Sequence, residues 1–215
     1  MLEYNILIDE LPKFVTISNK EFEINSSFRT GILFEQLMLD KDISDNEKVE
    51  ISLKLYFEND TNLGKEIEDI NEAVEKILWF YQCAKDDDSY CTRKKTSRSR
   101  INKIYDYDVD QDYIYSAFLQ QYNIDLQDIK YMHWWKFRAL FKSLNNSSKF
   151  TKILEYRSID LSKIKDKDQK EFYKEMQALY KIPSKIDKEE KAKIEAINNA
   201  LRNGLDITDL LKKYK

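Results

Sequence analysis

Glycine is nearly missing: Gly31, Gly64 and Gly204 are the only three in a chain of 215 residues, alongside two prolines. Ordinary usage is roughly 7% glycine and 5% proline. Positive-φ turns and phosphate-cradling loops draw on glycine, so this scarcity excludes a many-stranded sandwich, a P-loop and a dinucleotide fold. Histidine occurs once, as His133, which leaves few routes to acid–base chemistry near neutral pH. Cys83 and Cys91 are the only cysteines, and their spacing fits neither a C-x-x-C redox pair nor a zinc site. Two reduced thiols in the cell interior are the expectation. No apolar run reaches the roughly 18 residues of a membrane helix. The segment MLEYNILIDELPK has no basic stretch before its apolar one, so a secretory signal is not expected either. The expected location is the cytoplasm.

What is present is apolar, aromatic and charged. Hydrophobic residues make up 42% and aromatics 13%, enough to bury a core and too rich for a disordered chain. Net charge is −3, but residues 1–90 hold 9 basic against 21 acidic residues, and residues 91–215 hold 27 against 18. Such asymmetry steers association, between copies or with a charged partner, or draws two faces of one domain together.

Periodicity predicts a mainly α, multi-helix bundle with a small N-terminal β-hairpin. Tyr4–Ile8 and Phe14–Ile17 read as strands, with Ser18–Glu21 as a polar turn before Phe22–Ile24. A helix follows from Phe28 to Leu39 despite Gly31. Ser44 with Glu47 matches a capping box that opens a helix through Val49, Leu53 and Tyr56–Phe57. A third helix runs from about Lys65 to Tyr81. Residues 86–104, acidic and then basic, form a charged loop or hinge. It divides an N-terminal part, 1–90, from a helical part, 105–215, and the two parts are compatible with one compact domain. Asp108 caps a helix to about Gln121, and Asn123–Asp125 breaks it. A long helix is predicted from about Leu126 to Leu144, then one through Phe150, Ile153 and Leu154 to Arg157. Further helices fit 166–181 and 187–203, and an amphipathic tail spans Ile207–Tyr214.

Candidate sites are few. His133 lies in Tyr131-Met132-His133-Trp134-Trp135-Lys136-Phe137-Arg138, with no serine or cysteine motif to pair with, and reads as a structural histidine. Asp106, Asp108, Asp110 and Asp112 alternate, but from either register an EF-hand lacks its glycine and its final glutamate. The spacing implies no metal, no cofactor and no catalytic residue. Arg93, Lys94, Lys95, Arg98, Arg100 and Lys103 crowd eleven positions; a solvated loop, an acidic protein surface and nucleic acid all fit them. Trp134 and Trp135 belong to a stretch apolar on nearly all sides, which reads as core, or as an interface anchor where a ring is exposed. Ile194, Ile197, Leu201, Leu210, Leu211 and Tyr214 are further candidate contact residues.

The second half carries a resemblance. The ordered set Tyr105-Asp106-Tyr107-Asp108, Tyr113-Ile114-Tyr115, Ala117-Phe118-Leu119-Gln120-Gln121-Tyr122, Ile124-Asp125-Leu126, His133-Trp134-Trp135-Lys136-Phe137-Arg138-Ala139-Leu140, Phe150 and Tyr156-Arg157 resembles the gp-fifteen family of phages and prophages. It covers residues 100–182 well and the N-terminal part, with Phe28-Arg29, loosely. The family's genes lie in tail-morphogenesis clusters. The resemblance implies a non-catalytic tail-assembly chaperone that binds the tape-measure protein, in the cytoplasm of the bacterial host. A structural minor tail or connector protein of the virion is the alternative, and a nucleic-acid-binding regulator a third. Other tail proteins and self-association are further partner expectations.

Overall fold

The computed structural model describes residues 4–57, 69–84 and 104–183, with residues 195, 196, 199, 200 and 202. These residues are mainly helical, with one N-terminal hairpin, as composition and periodicity predict. In chain order the elements are β1 (Phe14–Ile17), β2 (Lys20–Glu23), α1 (Phe28–Leu39), α2 (Asp45–Phe57) and α3 (Ile70–Tyr81). Further along the chain come α4 (Gln111–Tyr122), α5 (Trp134–Lys142), α6 (Lys149–Ser158) and α7 (Lys167–Leu179), with a 3-10 turn at Leu161–Lys163. The chain forms two compact units, Met1–Leu154 and Glu155–Lys215.

In the first unit, β1 and β2 pair antiparallel with Val15 opposite Phe22 and Ile17 opposite Lys20. Val15, Ile17 and Phe22 are buried while Phe14 faces out, the two-residue alternation of a half-buried hairpin. The turn is shorter than the tetrapeptide expected. Ser18 and Asn19 alone reverse the chain, both with positive φ (48° and 61°), the twist that suits a two-residue hairpin. The Ser18 N–H donates to the Glu72 carboxylate of α3 at 2.8 Å, which holds the turn down.

Tyr4–Ile8 is not a strand. Asn5 Oδ1 accepts the Leu7 N–H (3.0 Å), and the Asp9 carboxylate accepts the Asn5 N–H (2.6 Å). The Asn5 carbonyl accepts from Ile8 and Asp9. Side chains at both ends take the backbone bonds that a sheet would use, so the segment closes into a turn.

The helix starts follow local chemistry. Ser44 and Glu47 form the reciprocal box: the Ser44 N–H donates to Glu47 Oε2 (3.0 Å) and the Glu47 N–H to Ser44 Oγ (3.4 Å). The bond from the Ser44 hydroxyl holds the Glu47 carboxyl below its usual range. Asp69 and Asp166 cap α3 and α7. The stretch of the expected third helix before Asp69 lies outside the described residues, as do the tail and most of 187–203, of which residues 195, 196, 199, 200 and 202 are described and helical. α4 begins two residues later than its expected cap, Asp108, would allow, with Asp110 at the cap position. Asp106 Oδ1 accepts from the Asp108 and Val109 N–H groups and winds the chain into a turn first. Asn123, at φ 52°, ends the helix in the left-handed region that asparagine tolerates.

The largest departure is the long helix expected over 126–144. Only Trp134–Lys142 is helical. Upstream, Asp125 takes the Gln127 N–H (2.8 Å), and Arg29 donates to the carbonyls of Leu126 (2.9 Å) and Ile129 (3.2 Å), which a helix would need for itself. Next, the Phe28 N–H donates to Met132 O (2.9 Å) and the Trp134 N–H to Ser26 O (2.8 Å). The leads into α1 and α5 are therefore paired with each other, and both helices start from one bridge.

Within this unit Phe118, Phe137, Trp134 and Tyr81 stack in a column, with centroid separations of 5.0, 5.8 and 5.3 Å and interplanar angles of 8°, 17° and 17°. Each such pair adds about 0.5–1.5 kcal/mol beyond its buried area. Gly31 makes the column possible. A β-carbon there would lie 2.3 Å from the Trp134 ring, so α1 approaches α5 only because that atom is missing.

In the second unit, the last turn of α6 supplies Tyr156, whose ring meets Phe172, Tyr173 and Tyr180. Arg157 donates to Tyr180 O at 2.6 Å, and Gln177 to the carbonyls of Tyr156 and Ile159. α7 nevertheless has no buried residue.

Gly31→Ala must shift α1 or Trp134, and overpacking of this kind costs about 1–3 kcal/mol. Chemical denaturation should show that loss, although alanine has the higher helix propensity. A variant as stable as the wild type would refute the close approach.

Candidate functional site

A cluster of polar and aromatic groups lies where α5 meets the end of α3. The last carbonyls of a helix lack partners within it. Here the Trp135 indole N–H donates to Phe80 O (2.7 Å) and the Trp134 indole N–H to Tyr81 O (2.9 Å). The Arg138 guanidinium adds a second bond to Tyr81 O (2.7 Å) and lies over the rings of Tyr81 and Trp134. Beyond Tyr81 the chain leaves through Cys83 and Ala84, both at positive φ (61° and 51°), and their N–H groups return to Phe80 O and Trp79 O. Tyr81 in turn donates its hydroxyl to the Glu35 carboxylate of α1 (2.6 Å), a bond that accounts for a glutamate only 8% exposed. Trp134 is 0% exposed and Trp135 3%. These two candidate contact residues are core, and their polar ends are spent on α3.

His133 is not inside a helix, as the predicted long helix implies, but caps one. Its Nδ1 accepts the Trp135 N–H (3.1 Å), and its Nε2 faces Pro12 O at 2.9 Å. With Nδ1 accepting, the proton belongs on Nε2, which donates to the Pro12 carbonyl. Both nitrogens of the neutral ring are thereby occupied. Burial and, to a smaller degree, the Lys13 charge push its pKa below the usual histidine value, against the pull of the Pro12 carbonyl.

The aspartates at 106–112 collect no ligand geometry. Asp106 binds its own turn, and buried Asp110 accepts the Asp106 N–H at 3.0 Å. Among the described residues no group of three or more His, Cys, Asp or Glu is placed to hold a metal. None of the described helices is long and apolar enough to cross a membrane. Arg93, Lys94, Lys95, Arg98, Arg100, Ile194, Ile197, Leu201, Leu210, Leu211 and Tyr214 lie outside the described residues.

Two exposed apolar features escape pattern reading. One is the turn bearing Ile6, Leu7 and Ile8, which periodicity takes for a strand. The Asn5–Asp9 spacing, which permits a side-chain-closed turn, is its only signal. It stands beside a cavity of about 190 Å³ lined by Trp135, Cys83, Ala139, Arg138 and Lys142 together with residues of the turn's own root. The other is α7, where Phe172 is 46% and Leu179 66% exposed on one side of the helix.

A family model described as Bacteriophage Gp15 protein matches residues 7–182. No curated protein and no solved structure gives a match.

His133 sets the pH response of this region. Its lowered pKa means that, as pH falls below about 6.5, the unfolded chain takes up a proton that the folded chain refuses. Its contribution is present above that value and is lost on acidification through the folded pKa. His133→Asn keeps a capping side chain without the titration. Denaturation midpoints at pH 7.5 and 5.5 should drop for the wild type and differ less for the variant. Equal drops in both would contradict the assignment.

Proposed function

The chain belongs to the bacteriophage Gp15 protein family, and from that premise we propose that it is a non-catalytic tail-assembly chaperone whose client is the tape-measure protein of the same phage. The observation that carries the reading to a mechanism is α7. Its sequence segregates apolar residues on one side, and although Phe172 and Tyr173 meet the Tyr156 ring, none of them is fully buried. An amphipathic helix left open in this way is a surface for another amphipathic helix. A helix face with exposed apolar residues rimmed by lysines and acids is suited to hold a helical client with an apolar stripe before assembly.

A role without bond chemistry is further supported by His133, whose two ring nitrogens are taken up by Trp135 and Pro12. The host cytoplasm, where tails assemble, is the place this function requires.

Co-expression with the tape-measure protein should raise its soluble yield, and the two should co-purify. Phe172→Ser with Leu179→Ser should keep the helical spectrum but lower that yield several-fold. Mass spectrometry of purified particles should find the chaperone missing. An unchanged client yield sinks the proposal, and a fixed copy number in the particle would instead assign the chain to the tail or its connector.

A further inference from the structure

We propose that the turn at Ile6–Leu7–Ile8 is a docking knob, and that its receptor is the adjoining cavity on a second copy of the chain. The inference is independent of the tail-assembly reading, because it uses only the first unit.

Leu7 is 88% exposed and Ile8 79%, with Ile6 at 43%. Three consecutive exposed aliphatic residues are costly in water and are kept where a partner covers them. They are also held in place. Four bonds among Asn5, Leu7, Ile8 and Asp9 close the turn, and the Tyr4 ring anchors its root edge-on against Trp135 at 4.9 Å. A fixed knob gives up little entropy on docking.

Its receptor follows from chemistry and position. The cavity of about 190 Å³ has Trp135, Cys83 and Ala139 in its wall and the cationic Arg138 and Lys142 beside them. That is room for one or two aliphatic side chains in an apolar wall with positive charge at hand. The knob offers the complement: aliphatic residues followed directly by Asp9 and Glu10. Knob and cavity share Tyr4, Asn5 and Ile6, so both lie on one face. A two-fold axis through that face sets each knob against the other copy's cavity, a closed, self-complementary arrangement.

Sedimentation of the full chain over a range of concentrations tests this. A reversible monomer–dimer equilibrium is expected. Leu7→Asp with Ile8→Asp, at exposed positions, should leave the melting temperature nearly unchanged and weaken dimerisation at least roughly tenfold. Glu10→Lys and Lys142→Glu should each weaken it, and the two together in one chain should restore it, because each interface then pairs swapped charges. A chain that stays monomeric, a dimer indifferent to the aspartate pair, or a double swap that fails to recover association would overturn the proposal.

Discussion

Three donors from α5 converge on two carbonyls at the end of α3, and the architecture of the first unit depends on that convergence. A buried carbonyl left without a donor costs about 1–3 kcal/mol. The Trp134 indole and the Arg138 guanidinium remove that cost for Tyr81, while the Trp135 indole joins the Cys83 N–H on the Phe80 carbonyl. The donors stand more than fifty residues from their acceptors in sequence. The bonds therefore tie together parts of the chain that lie on opposite sides of the charged stretch 86–104 in sequence. The same rings close the aromatic column, so packing and polar satisfaction select one arrangement and not several. The bridge between the leads of α1 and α5, with His133 as cap, sets where α5 begins and hence where its donors point.

Much of this frame is legible in the residues. Scarce glycine excludes many turns, apolar spacing of three and four marks most of the helices, and Ser44 with Glu47 names a cap that forms as written. Local rules fail where distant groups take over. The stretch 126–133 has a helical pattern, but Arg29 takes the carbonyls of Leu126 and Ile129 and Phe28 takes that of Met132, and neither partner is visible from that window. At Tyr4–Ile8 a side-chain turn outcompetes a strand of good propensity. The tryptophans are recognisable as core from their surroundings. That their N–H groups cap a helix fifty residues away is not, since it requires the fold.

The family match identifies a phage protein, and the proposed role by surface contact draws on where the side chains sit. Its aromatic and polar capital is interior: the one histidine, the buried arginine and the Tyr81–Glu35 pair all hold helices in place. The most exposed apolar side chains among the described residues are Leu7 and Ile8 of the turn in one unit and Leu179 of α7 in the other. Rigid supports carrying exposed apolar features suit binding.

Native-state hydrogen exchange tests the central account most directly, because it reads the opening energy of each helix separately. If α5 caps α3, the amides at the end of α3, from Phe80 to Ala84, and those of Phe137–Phe141 should exchange through one shared opening, and Arg138→Met should lower both together. Exchange of the α3 end at a much smaller opening energy, with α5 still protected, would contradict it.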